Sequence, residues 1–123
     1  MSMLGQGRKA ISQVGDPKLA VKGFVALTGT TVTLVPLTDY QGNAFTPSTT
    51  NPFGLVDIIM KSEATVTSQF SLYEGAVTQI AEWHVSPSAT LMISFNSMLV
   101  FNDAIYAATT SADCTVTIVG VQN

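Results

Sequence analysis

A chain of 123 residues makes one domain and buries roughly two-thirds of the surface its unfolded form exposes. Charged residues are 11% of it against 46% hydrophobic, so Thr, Ser, Asn and Gln must cover the surface, or other subunits must hide it. No run reaches the ~18 to 20 apolar residues of a membrane helix, and the N-terminus lacks the ~7 to 15 residue apolar stretch of a secretory signal; a soluble, unexported protein is expected.

Charge divides the chain unevenly. Residues 1–22 carry Arg8, Lys9, Lys18 and Lys22 against Asp16, a net of +3, while the remainder sets Lys61 against Asp39, Asp57, Glu63, Glu74, Glu82, Asp103 and Asp113, a net of −6. A basic arm on an acidic body is expected. Four positive charges without interleaved aromatics are a poor nucleic-acid signal, and the acidic body would repel phosphate, so an acidic protein surface is the better fit. Gly5, Gly7, Gly15 and Pro17 break every candidate helix in this arm, which is expected to be extended.

From Gly23 the pattern changes. "GFVALT" and "TVTLVPL", separated by "GTT", read as a hairpin whose second strand alternates Val32 and Leu34 with Thr31 and Thr33 and ends at Pro36. Residues 38–54, "TDYQGNAFTPSTTNPFG", read as a loop beyond the ~12 to 15 residues usual in a compact domain. Its Tyr40, Phe45 and Phe53 admit two readings: an exposed binding loop, or Phe45 and Phe53 folding back to plug one end of the core.

Period-two alternation dominates the rest of the chain. "LVDIIMK" places Val56, Ile58 and Met60 on one face and Leu55, Asp57 and Ile59 on the other, and "TVTSQFSLYEG" places Val66, Ser68, Phe70 and Leu72 together. "TQIAEWHV" alternates Ala81, Trp83 and Val85 with Ile80, Glu82 and His84, and "TLMISF" alternates Leu91, Ile93 and Phe95 with Met92 and Ser94. "MLVF", "AIYAAT" and "CTVTIVGV" complete about eight or nine strands, the last with Val116, Ile118 and Gly120 opposite Thr115, Thr117, Val119 and Val121. Turns at "YEGAV", "SPSA", "FNS", "FND" and "TSAD" recur at the ~8 to 12 residue spacing of an all-β sandwich. The expected fold is an antiparallel β-sandwich, jelly-roll-like, of two sheets of roughly four strands: an extended arm over residues 1–22 and a sandwich over residues 23–123.

Catalytic and metal constellations are missing from this pattern. The single His84 would have to serve any Ser-His-Asp or Cys-His arrangement, and its neighbour Glu82 at i−2 on the same strand face is the spacing of a solvated pair. One Cys and one His cannot build a structural zinc site, the acids show no EF-hand spacing, and "GQGRKA" lacks the phosphate-loop pattern. Cys114 alone excludes an intramolecular disulfide and reads as a small buried hydrophobe. No enzyme, cofactor or metal is expected. Trp83, flanked by Ala81 and Val85, is expected to pack rather than to stack on a ligand.

The order "SLYEG", "IAEWHVSPSATLMISF", "MLVFNDAIYAAT" and "CTVTIVGV" resembles a small β-sandwich of tailed-bacteriophage structural proteins. In that pattern an "LYDG"-like turn precedes a short strand and a "VTV" strand closes the domain. The resemblance covers about Val56 to Val121, and the chain departs from it at Asp103 and Ala104, where the pattern often has Gly. It implies a virion part similar to capsid decoration (cement) proteins, assembled in the host cytoplasm, with the major capsid protein as partner and a homotrimer on threefold lattice positions. Contacts are then expected from Arg8, Lys9, Lys18 and Lys22 of the arm and from Tyr40, Phe45 and Phe53 of the loop. A tail, fibre or receptor-binding module that recognises carbohydrate is the alternative.

Overall fold

Alternating β-branched, aromatic and polar residues give strands wherever one face is buried and the other wet. In the computed structural model, which describes residues 19–122, ten strands form. They are β1 (Ala20–Leu27), β2 (Thr33–Leu34), β3 (Leu37–Asp39), β4 (Ala44–Phe45), β5 (Phe53–Ser62), β6 (Ser68–Glu74), β7 (Thr78–Val85), β8 (Ala89–Phe101), β9 (Ile105–Thr109) and β10 (Cys114–Gln122). Two sheets result, in the orders β4-β3-β1-β10-β5-β8 and β2-β9-β6-β7.

The strand order decides the topology. With the β3–β4 hairpin set aside as an insertion, the antiparallel pairs are β1 with β10, β2 with β9, β5 with β8, and β6 with β7. These are the rungs of one long ribbon whose first half is β1-β2-β5-β6 and whose second half returns as β7-β8-β9-β10. Rolled so that alternate rungs fall in opposite sheets, that ribbon is a jelly roll. The expected sandwich is therefore present, with six and four strands rather than four and four.

Several local expectations are corrected. β1 and β2 do not form a hairpin: β1 lies between β3 and β10, and β2 pairs with β9 in the other sheet. The segment around "GTT" instead crosses from one sheet to the other, pinned where the Thr109 N–H donates to the Gly29 carbonyl. "FNS" is not a turn, because β8 runs unbroken through it as a 13-residue strand. Residues 20–22, assigned to the arm, belong to β1, where Lys22 pairs with Val119 on one side and Thr38 on the other.

The core lies between the sheets, where Phe53, Leu55, Ile58, Met60, Phe70 and Ile118 are sealed from solvent. Each such side chain contributes roughly 1.5 to 3 kcal/mol relative to exposure. The inward phase of β5 changes midway. Leu55 pairs with Leu99 and Asp57 with Ser94, so Val56 alone faces Phe95 to Met98 and the alternation restarts beyond it. That slip brings Leu55 inside with Ile58 and Met60, although strict alternation had set it opposite them.

One end of the core is closed by polar atoms. Ser62 of β5 and Ser68 of β6 share a hydrogen bond of 3.2 Å across the sheets, and the Cys114 thiol of β10 lies 3.7 Å from each hydroxyl. Thr109 of β9 donates to the same sulfur. No buried polar side-chain atom among the described residues is left without a partner.

Candidate docking surface

Registers on the six-stranded sheet align its outward residues into rows. Phe24 pairs with Thr117, Thr117 with Ile59, and Ile59 with Met92, so one row runs across β1, β10, β5 and β8. Both ends of that row stand in solvent, Phe24 at 57% and Met92 at 60% exposure. Rows on either side are Lys22, Val119, Asp57 and Ser94, and Ala26, Thr115, Lys61 and Thr90. The central row has no charge at all. An exposed Phe and Met in a continuous line on a sheet face that nothing among the described residues covers is the kind of patch that marks an interaction site.

Phe24 divides this face into two shallow troughs. One, of about 560 Å³, is bounded by Phe24, Ile59, Thr90, Thr115 and Thr117; the other, of about 450 Å³, by Lys22, Pro36, Thr38, Thr117 and Val119. At Gly23 the neighbouring chain presses close on β1: a Cβ there would sit 2.8 Å from the Pro36 carbonyl oxygen and 2.5 Å from Leu37 Cδ2. Threonine hydroxyls and methyls line both troughs. Charge is absent from the central row but not from the face: Asp57 and Lys61 stand in the rows on either side of Ile59, and Lys61, Glu63 and Asp113 line the first trough, where the Lys61–Glu63 pair at 3.2 Å is solvent-exposed and worth little to stability. Chemically the face offers apolar contact and scattered hydroxyl hydrogen bonds, with no cluster of three or more metal-ligating side chains among the described residues.

The residues singled out from sequence are not brought together. Arg8, Lys9 and Lys18 lie outside the described residues. Lys22 is exposed on the outer face of β1 and edges the second trough. Tyr40, half exposed, sits at the tip of the β3–β4 hairpin. Phe45 and Phe53 are corrected as contact residues: at 8% and 0% exposure they belong to the core. Their rings lie 6.4 Å apart, and Phe53 continues to Phe101 at 6.4 Å, so the three close one end of the sandwich. The stretch read as one long loop is largely ordered by this plug and by β3 and β4.

His84 and Glu82 face solvent on the outer side of β7, where Gln69 Nε2 donates to Glu82 Oε1. Trp83 points inward, half-buried against the core. Sequence reasoning missed Phe24, Ile59, Met92 and Val119 as one surface. Their signal was apolar side chains on the polar phase of alternation, in four strands whose adjacency is not written locally.

No protein-family model and no curated protein matches this chain. Among solved structures it is similar to a protein of Bacillus endospore appendages, described as a novel family of disulfide-linked pili, at 13% identity over 86% of this chain and 91% of that one, with a TM-score of 0.45. At that level the likeness bears on neither partner nor location for this chain.

Proposed function

We propose that this protein is a structural, non-catalytic component of a phage virion: a decoration or cement protein that binds the outer capsid surface. The observation that carries the reading is the uncharged Phe24–Thr117–Ile59–Met92 row on the open face of the six-stranded sheet, flanked by two hydroxyl-lined troughs. Such a face suits attachment to a broad, relatively flat protein surface better than capture of a small molecule, which favours deep pockets. The sequence resemblance over Val56 to Val121 supplies the capsid as partner. Disulfide linkage of subunits has no part in it, since the single Cys114 is 1% exposed and already engaged by Ser62, Ser68 and Thr109.

The mechanism is mechanical. Each copy lays its apolar row on the shell, the basic segment reaches an acidic neighbour, and linked copies hold adjacent capsid subunits against separation. The test is co-sedimentation with undecorated capsids. Thr117→Lys, a charge set into the middle of the row, is expected to weaken binding at least tenfold, equivalent to about 1.4 kcal/mol, while leaving the melting temperature near wild type. Undiminished occupancy by this variant would remove the face from the attachment.

A second reading, a receptor-binding module for carbohydrate, is favoured by a different row. On the outer face of the four-stranded sheet Leu34 pairs with Tyr106 and Tyr106 with Tyr73, with Ser71, Glu82, Gln69 and His84 beside them. Aromatic rings next to amide and carboxylate groups can stack on and hydrogen-bond a sugar. Retention on immobilised glycans that Tyr73→Ala abolishes would move the assignment to this face.

A further inference from the structure

Sheet edges present unpaired N–H and C=O groups, and proteins that stay monomeric blunt them by shortness, Pro, charge or bulges. Among the described residues, three of the four sheet edges are blunted. β2 and β4 have two residues each, with Pro36 and Pro47 two residues beyond them, and β7 carries Glu82 and His84. β8 is different: its 13 residues, "ATLMISFNSMLVF", contain no charge and no Pro, and it closes the six-stranded order with no described strand beyond it. Its only irregularity is the slip at Phe95 to Met98, which leaves Ala89 to Ser94 as a straight run in unbroken register with β5.

We infer that this edge is a self-association site, where β8 of one copy pairs antiparallel with β8 of a second copy about a two-fold axis, joining two six-stranded sheets into one. The identity of the occupant follows from self-complementarity. Residues opposite each other in an antiparallel pair share a face, so a two-fold register must centre on a single residue. Centred on Met92, it sets Thr90 against Ser94 of the second copy and Leu91 against Ile93 of the second copy: polar meets polar on the outer face, and apolar meets apolar on the core side. No like charges meet. Met92, at 60% exposure the most solvent-exposed apolar residue of β8, becomes covered by its own symmetry mate. The uncharged row that ends at Met92 then continues as Ile59 and Phe24 of the second copy, doubling the outer face. The β7 edge lacks this property, because self-pairing would bring its Glu82 carboxylates toward one another. This assignment stands on the sheet edge alone, and does not depend on whether the outer face meets a capsid.

Light scattering of the full chain across a concentration series tests it, with circular dichroism reporting the fold. The wild type is expected at twice the 13.0 kDa chain mass. The double variant Thr90→Lys with Ser94→Lys, both at exposed outer positions, should raise the dimer dissociation constant at least tenfold while keeping the β-sheet spectrum. Should that variant fail to fold, Met92→Cys supplies the second readout. Opposed Cα atoms in an antiparallel pair lie roughly 4.5 to 5.5 Å apart, within the range a disulfide spans. Met92→Cys should therefore give a covalent dimer on mild oxidation, and Val100→Cys, exposed on the same strand but far from the axis, should not. A wild-type monomer or trimer, a dimer indifferent to the two lysines, or cross-linking through Val100→Cys as readily as through Met92→Cys would each overturn the assignment. Capsid binding by a monomer would do so while leaving the proposed function in place.

Discussion

A Cβ at position 120 would overlap the Gly54 carbonyl oxygen and the Phe53 ring, so Gly120 lets β10 and β5 close over the register slip between Val119 and Gly120. Gly120→Ala is accordingly expected to lower stability by about 2 to 3 kcal/mol through overpacking. Urea unfolding reads this directly, and a loss below ~0.5 kcal/mol would mean that β5 can move aside. Trp83 carries a milder expectation. It packs on the core from an edge strand but stays partly wet, so Trp83→Ala should cost about 2 kcal/mol, less than the ~3 to 5 of a fully buried aromatic. At this scale the inward side chains of β7 and most of those of β6 and β10 were legible from alternation; Val66, grouped with Phe70 and Leu72, is exposed, and Val121, set on the outward phase, is buried beyond the register slip between Val119 and Gly120. The burial of Phe45 and Phe53 was not, because a Pro- and Asn-rich setting has no period to show which way a ring turns.

The β3–β4 hairpin is the element that interrupts the jelly-roll ribbon, and it is held by its own chemistry. Asp39 Oδ1 accepts hydrogen bonds from the N–H groups of Gln41, at 3.0 Å, and Asn43, at 2.9 Å, while Gly42 takes the left-handed φ of +83° that the turn requires. Asp39→Ala should cost about 1 kcal/mol in urea unfolding, with the dimer mass unchanged because the hairpin lies at the sheet edge opposite β8. β8 shows the limit of local reading from the other side. Asn96 and Ser97 are turn formers, yet the strand continues through them, since the slip against Val56 absorbs the extra residues without reversing the chain. Likewise Gly29, Thr30 and Thr31 carry hairpin chemistry and form instead the crossing between sheets. Turn residues mark where a strand ends or bends. They do not state which strand comes next to it.

For the whole molecule the distribution of charge is the variable to test. Removing residues 1–18 takes away Arg8, Lys9 and Lys18 with Asp16 and leaves β1 complete. That truncation is expected to keep the melting temperature and the dimer mass but to weaken capsid attachment several-fold, more so at low salt, where surface charges act over a longer range. Equal occupancy of truncated and full-length chains on particles, measured at low and physiological salt, would take attachment away from the basic segment.

Alternation, turn spacing and the scarcity of charge determined by themselves that this chain is all-β, that its strands have a core phase, and that its surface carries few charges. Those properties are local or compositional, and one strand's sequence suffices to state them. Tertiary structure alone decided that β1, β10, β5 and β8 are neighbours, which turns Phe24, Ile59 and Met92 from stray outward side chains into one row. It also decided that the uncharged β8 is an edge and not a central strand. Strand order depends on contacts between segments far apart in the chain, such as β1 with β10, whose pairing is set by the packing of the whole core and leaves no periodic trace in either segment.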